Sequence, residues 1–187
     1  MSRITPLALE EASPEDRALL ERGAEWMGFL PNDGLLMARV PGLLAAASEL
    51  VRAAYGAGAL DMDTKRLVSV MSSAAAGCRY CQAHTRHGAL KQGIEAERLE
   101  AIWEYESSPL FNDAERAAIH FARLASLTPN GVEAADMDAL RAHYTEEQVL
   151  EIVAVIALFG FLNRWNDTLK TDIEAAPRAA LEPEHAA

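Results

Sequence analysis

The chain has only two cysteines, and they lie three apart in Cys78-Arg79-Tyr80-Cys81, followed by Gln82-Ala83-His84-Thr85-Arg86-His87. A bridge across so short a loop removes little chain entropy, so it has little leverage over the fold as a whole. In a reducing compartment a lone CxxC reads instead as a redox dithiol or as half of a metal site. The spacing i, i+3, i+6, i+9 of Cys78, Cys81, His84 and His87 tests the metal reading. On one α-helix these residues climb about 13.5 Å and drift about 180° around the axis. Tetrahedral zinc, with bonds of about 2.0 to 2.3 Å, cannot gather all four. Two or three could ligate only if the helix began late, and no further cysteine is present to complete a zinc ribbon. No metal site is expected.

The redox reading uses the same geometry with fewer assumptions. Free amides and the positive dipole end at the first turn of a helix stabilise a thiolate, and the adjacent thiol shares its charge. One cysteine then attacks and the other resolves. His84 lies beside Cys81 on a helix surface, where it can take or return a proton, and His87 stands one turn on, next to His84. Read without chemistry, both histidines are ordinary polar helix residues.

These residues need helices to position them, and the composition supplies them. There are 36 alanines against 11 glycines and 8 prolines, which favours an all-α chain. Ser13-Pro14-Glu15-Asp16 is a helix start, with a serine cap, proline at the first helical position and acids at the positive dipole end. Pro41 opens a second long helix, which ends near Gly56. Leu60-Asp61-Met62-Asp63 caps a third that should stop near Gly77, and the CxxC motif falls on the first turns of the next. Further helices are expected at 95–105, 112–127 and 132–143. A last helix starts from the capping box Thr145-Glu146-Glu147-Gln148 and runs to about Thr171. No stretch alternates like a half-buried strand. The expected organisation is one all-helical domain over 1–175 and a flexible tail over 176–187.

At 187 residues the chain is long enough for one domain with a sizeable core. Its net charge of −11 repels phosphate backbones and anionic lipid surfaces, so neither nucleic acid nor membrane is an expected partner. Met1 to Glu10 does not read as a signal peptide, and a cytoplasmic location is expected. The apolar run Ile152 to Leu162 is shorter than the about 20 residues a bilayer span needs, so it belongs in a core or a subunit interface. His120, Asn163 and Arg164 read as structural residues that need hydrogen-bond partners. Trp26, Phe159, Phe161 and Trp165 read as core packing. No glycine-rich phosphate loop is present, and no cofactor is expected.

The segment Ala74-Ala75-Ala76-Gly77-Cys78-Arg79-Tyr80-Cys81-Gln82-Ala83-His84-Thr85 resembles the signature of the carboxymuconolactone decarboxylase and alkylhydroperoxidase D-like superfamily, especially its peroxidase-related branch. Gly28-Phe29-Leu30-Pro31-Asn32, Pro41-Gly42-Leu43-Leu44 and Asn163-Arg164-Trp165-Asn166 look like that branch's flanking segments, which extends the resemblance over roughly Trp26 to Asp172. The resemblance implies an all-helical fold in a homo-oligomer, trimer or hexamer before dimer. It also implies thiol-dependent reduction of hydroperoxides, with a separate dithiol reductant to regenerate the pair. Carried over, Cys81 is the peroxidatic cysteine, Cys78 resolves it into a disulfide, and His84 moves the proton, with His87, Arg66 and Tyr80 in support. Two positions depart from the pattern. The family histidine falls where this chain has Thr85, one residue after His84. A relay glutamate twelve residues before the first cysteine is replaced by Arg66, which can stabilise an anion but cannot accept a proton. A lactone decarboxylase and a non-enzymatic redox-sensing protein are the alternative functions.

Overall fold

The computed structural model describes residues 2–181, and all regular structure among them is helical. The α-helices are α1 (Pro14–Met27), α2 (Asn32–Met37), α3 (Leu43–Tyr55), α4 (Met62–Ala75), α5 (Arg79–Lys91), α6 (Ala96–Glu100), α7 (Asp113–Ala125), α8 (Ala134–Arg141), α9 (Glu146–Leu169) and α10 (Ala175–Ala179). Short 3-10 turns cover Leu9–Glu11 and Ala101–Glu104. The capping residues do what their chemistry dictates. Ser13 accepts from the Asp16 amide at 3.1 Å, Asp61 from that of Thr64 at 2.8 Å, and Thr145 closes a capping box with Gln148.

Helix α4 is the centre of the domain. Every residue from Thr64 to Ser73 is buried, because α5, α7 and α9 pack around it. Leu67, Val68 and Met71 meet Ile119 of α7 and Ile152, Val155 and Leu158 of α9 in the main core. A smaller core joins Leu20, Leu35, Met37 and Leu44 of α1–α3 to Phe161 and Trp165 of α9. Helix α9, at 24 residues, is long and apolar enough by length and composition to cross a bilayer, more than its apolar run suggests. Here it is the spine on which both cores are built. Leu150 nevertheless remains 68% exposed, and Val153, with Leu50 and Val51 of α3, adds further exposed apolar surface.

An all-buried helix that carries Lys65 and Arg66 must satisfy both. Lys65, 1% exposed, reaches the Gly56 carbonyl at 3.0 Å and Glu151 of α9 at 2.7 Å. Glu151 also accepts from the Ala59 amide at 2.6 Å, so one carboxylate ties the α3–α4 loop to α9. The Lys65 hydrogen bond holds the Glu151 carboxyl below the usual carboxylate range, against the effect of burial. Glu151→Ala leaves the ammonium buried and unpaired, and the expected loss is about 3 kcal/mol of unfolding free energy by denaturant titration. The lysine-free variant Lys65→Met should cost less. Because the Glu151 carboxyl is lowered by folding, its contribution is present above the unfolded carboxylate value and disappears as pH falls through the folded one.

The C-terminal segment differs from the expected flexible tail. Residues 175–179 form α10, which packs on α5 with Pro177 buried; residues 182–187 of that tail lie outside the described residues. The other structural assignments resolve locally. His120 binds the Tyr105 hydroxyl at 2.7 Å and Asp136 at 3.3 Å, Asn163 donates to the Ser72 carbonyl at 3.3 Å, and Arg164 donates to the Thr128 hydroxyl at 3.5 Å.

Candidate active site

The turn between α4 and α5 sets the dithiol. Gly77 at φ 72° supplies the left-handed residue that reverses the chain, and Cys78 follows as the N-cap of α5. Its sulfur accepts from the Cys81 amide at 3.4 Å, in the role a serine or aspartate oxygen usually plays. Both sulfurs are reduced and buried. The Cys81 thiol and amide stabilise the Cys78 thiolate and lower its pKa, against burial. Cys81 is pushed well above its ordinary value by hydrogen bonding to Cys78, by burial and by the charges of Cys78 and Asp33, while Asn166, 3.7 Å from its sulfur, opposes the shift. Any negative charge the pair carries therefore rests on Cys78 until the shared proton moves across from Cys81.

The two sulfurs open in different directions. Cys81 lines a cavity of about 140 Å³ walled by Trp26, Phe29, Tyr55 and Phe159. Cys78 lines a polar cleft of about 310 Å³ with Arg79, Lys170 and Arg178. Trp26 thus walls a cavity where the sequence reading had it as core packing, 49% exposed at the rim because Gly28 ends α1 beside it, while Phe159 is both a buried member of the main core and a cavity wall.

A charged network closes over α5. The His84 imidazole stacks on Tyr80 with ring centroids 4.0 Å apart, and its Nε2 lies 2.7 Å from Glu174 Oε2. The Tyr80 hydroxyl has one proton to give to two acceptors, Asp33 Oδ1 at 3.1 Å and Glu174 Oε1 at 3.0 Å, and it accepts from the Asp33 amide at 3.3 Å. Burial and those two carboxylates push the Tyr80 phenol well above its ordinary value, so it remains a donor. Burial resists ionisation of Glu174, but the hydrogen bond and charge of His84 and the Asn32 amide, at 2.5 Å, outweigh it and hold the carboxyl below the usual carboxylate range.

The structure brings all six residues singled out in the sequence around one cavity, since Arg66, Tyr80, Cys81, His84 and His87 line it with Cys78 directly behind. One expectation changes. With the family glutamate replaced by Arg66, His84 was expected to move the proton without a carboxylate beside it; Glu174, at the end of the expected domain and just ahead of the expected tail, supplies one. Asp33 and Asn166 were also missed as site residues. Asn166 left a signal, as an amide in an otherwise apolar helix three residues from Asn163, whereas Asp33 sat in a turn-forming string and Glu174 in a polar segment with no periodicity.

A model of the carboxymuconolactone decarboxylase family matches residues 41–124. The chain also superposes on the crystal structure of the debrominase Bmp8 with a TM-score of 0.88 and 37% identity over 95% of both chains. The chain belongs to the carboxymuconolactone decarboxylase family. Other proteins are similar to it. A cysteine-to-alanine variant of Bmp8, in complex with 2,3,4-tribromopyrrole, is 36% identical at a TM-score of 0.88. A peroxidase-related protein with an alkylhydroperoxidase AhpD core from Ralstonia eutropha JMP134 shares the fold at a TM-score of 0.86, with 24% identity over 98% of both chains. The uncharacterised protein YnjA of Escherichia coli (strain K12) is 31% identical over 110 residues, a match that spans 59% of this chain and 60% of YnjA. The family match covers α3 to α7 and hence both cysteines; Asp33, Asn166 and Glu174 lie outside it.

Proposed function

We propose that the protein is a dithiol-dependent reductase that removes a halogen from a small aromatic substrate, with Cys81 attacking and Cys78 resolving. The observation that carries this reading is the placement of the Cys81 sulfur on the floor of an aromatic cavity, with its partner thiol behind it and out of the substrate's path. The likeness to a debrominase over 95% of the chain supports the same substrate class. The shared proton passes from Cys81 to Cys78, and the Cys81 thiolate attacks the ring halogen. The carbon keeps the electron pair of the broken bond and takes a proton from His84, leaving a sulfenyl halide on Cys81. Cys78, returned to its thiolate, displaces the halide and closes the disulfide. One aryl halide and two thiols thereby give one aryl hydrogen, one halide ion, one proton and one disulfide. A thiol reductant reopens the pair by exchange at Cys78, on the polar side.

A second reading, hydroperoxide reduction, is favoured by His84 one helical turn beyond Cys81. The Cys81 thiolate would attack the distal oxygen, the departing alkoxide would take the His84 proton, and Cys78 would displace the sulfenic oxygen as water. Single turnover of the reduced protein under anaerobic conditions separates the two. With 2,3,4-tribromopyrrole, two thiols should be lost for each bromide released. Thiol loss with cumene hydroperoxide alone would move the assignment to the second reading, and no loss with either would overturn both.

A further inference from the structure

The cavity beside Cys81 is lined by four residues with a buried polar atom that lacks a hydrogen-bond partner: Arg66 Nε, Tyr55 Oη, His87 Nε2 and the acceptor Asn166 Oδ1. Buried polar groups are normally satisfied, so three of them that can donate, on Arg66, Tyr55 and His87, around one space call for an explanation. Arg66 is the most demanding of them. It is only 9% exposed, and its guanidinium lies 4.6 Å from the Tyr55 ring centroid and 5.6 Å from that of Trp26. It makes no ion pair among the described residues. Among the described residues Asp33 is the only carboxylate that lines the cavity, and its oxygens are taken by Tyr80, Asn166 and the Gly34 amide. A second observation shows that space has been kept for the guanidinium. Gly88 sits inside α5, where glycine costs about 1 kcal/mol relative to alanine, and a Cβ there would lie 3.1 Å from Arg66 Nη1.

From these facts we infer that the cavity binds an aromatic anion of the phenolate or azolate type, with its ionised heteroatom against Arg66, Tyr55 and His87 and its ring between the aromatic walls. The guanidinium supplies charge, and the phenol and imidazole supply hydrogen bonds to the same atom. Phe29, edge-on to His84 at 5.3 Å and to His87 at 5.6 Å, closes the apolar side. The opposite edge of such a ring then faces the Cys81 sulfur. The inference rests on the reductase reading for its reacting group, but it concerns binding and stands on separate residues.

The test is calorimetric titration of the Cys81→Ala variant, which cannot turn over, with tribromophenol as its phenolate and with the neutral methyl ether tribromoanisole. The phenolate should bind at least about tenfold more tightly, the scale of one hydrogen bond to a charged group. Adding Arg66→Met should abolish that preference and leave anisole binding nearly unchanged. Gly88→Ala, which keeps the charge but crowds it, should narrow the preference and decides the matter if Arg66→Met does not fold. Equal affinity for the two ligands, or a preference that survives the loss of Arg66, overturns the inference. A phenolate preference that depends on Arg66, in a protein whose reduced form releases no bromide, sustains the binding site and refutes the dehalogenase reading.

Discussion

Cys81→Ser will reduce bromide release and thiol oxidation at least about 10³-fold, because it deletes the nucleophile and not merely an assisting group. Cys78→Ser should behave differently. A serine at the N-cap still accepts from the Cys81 amide, so the first turn of α5 survives and Cys81 can still take up one halogen or oxygen. The product should be a chain modified on Cys81 and trappable by a sulfenic-acid reagent, with no disulfide. Removing Cys78 also removes the charge and hydrogen bonding that raise Cys81. Thiolate absorbance in Cys78→Ser should therefore appear at lower pH than that of Cys81 in the native protein. If Cys78→Ser loses the first step while Cys81→Ser retains it, the roles are reversed and the thiolate that rests on Cys78 is itself the nucleophile.

His84→Ala should slow the first chemical step by about 10² to 10⁴-fold, the range of general acid–base effects. Glu174→Gln should give a smaller loss with a distinct signature. The carboxyl is lowered by folding, so its bond to His84 stabilises the docked α10 above the unfolded carboxylate value, and that support disappears as pH falls through the lowered folded value. Amide exchange over 175–181 should therefore be slow at neutral pH in the native chain and fast in acid. In Glu174→Gln it should be fast at both. A variant with native exchange and native rate would show that the Glu174 contact is incidental to both docking and catalysis.

The helices themselves were legible in local chemistry. Ser13-Pro14, Asp61 and Thr145-Glu146-Glu147-Gln148 each fix a helix start through side-chain to backbone bonds made within three residues, and such bonds do not depend on the rest of the chain. The dithiol was equally legible, since i, i+3 spacing at a helix start places Cys78 as cap and Cys81 on the first turn whatever surrounds them. Arg66 was visible as a departure from the family pattern, though not as the unpaired cation of a cavity.

What only the tertiary structure decided is what faces the thiols. Glu174 lies 90 residues from His84, and Asp33 lies 47 from Tyr80. Both site contacts are long-range, so no short-range pattern announces them. Trp26 walls a cavity where α1 ends at Gly28, and α10 packs on α5 next to Glu174, whose carboxylate is held by His84 and the Asn32 amide. Capping and periodicity act over one or two turns and are written into neighbouring residues. Burial, pKa and the direction in which a sulfur opens are sums over everything within several ångströms, and those neighbours are chosen by packing.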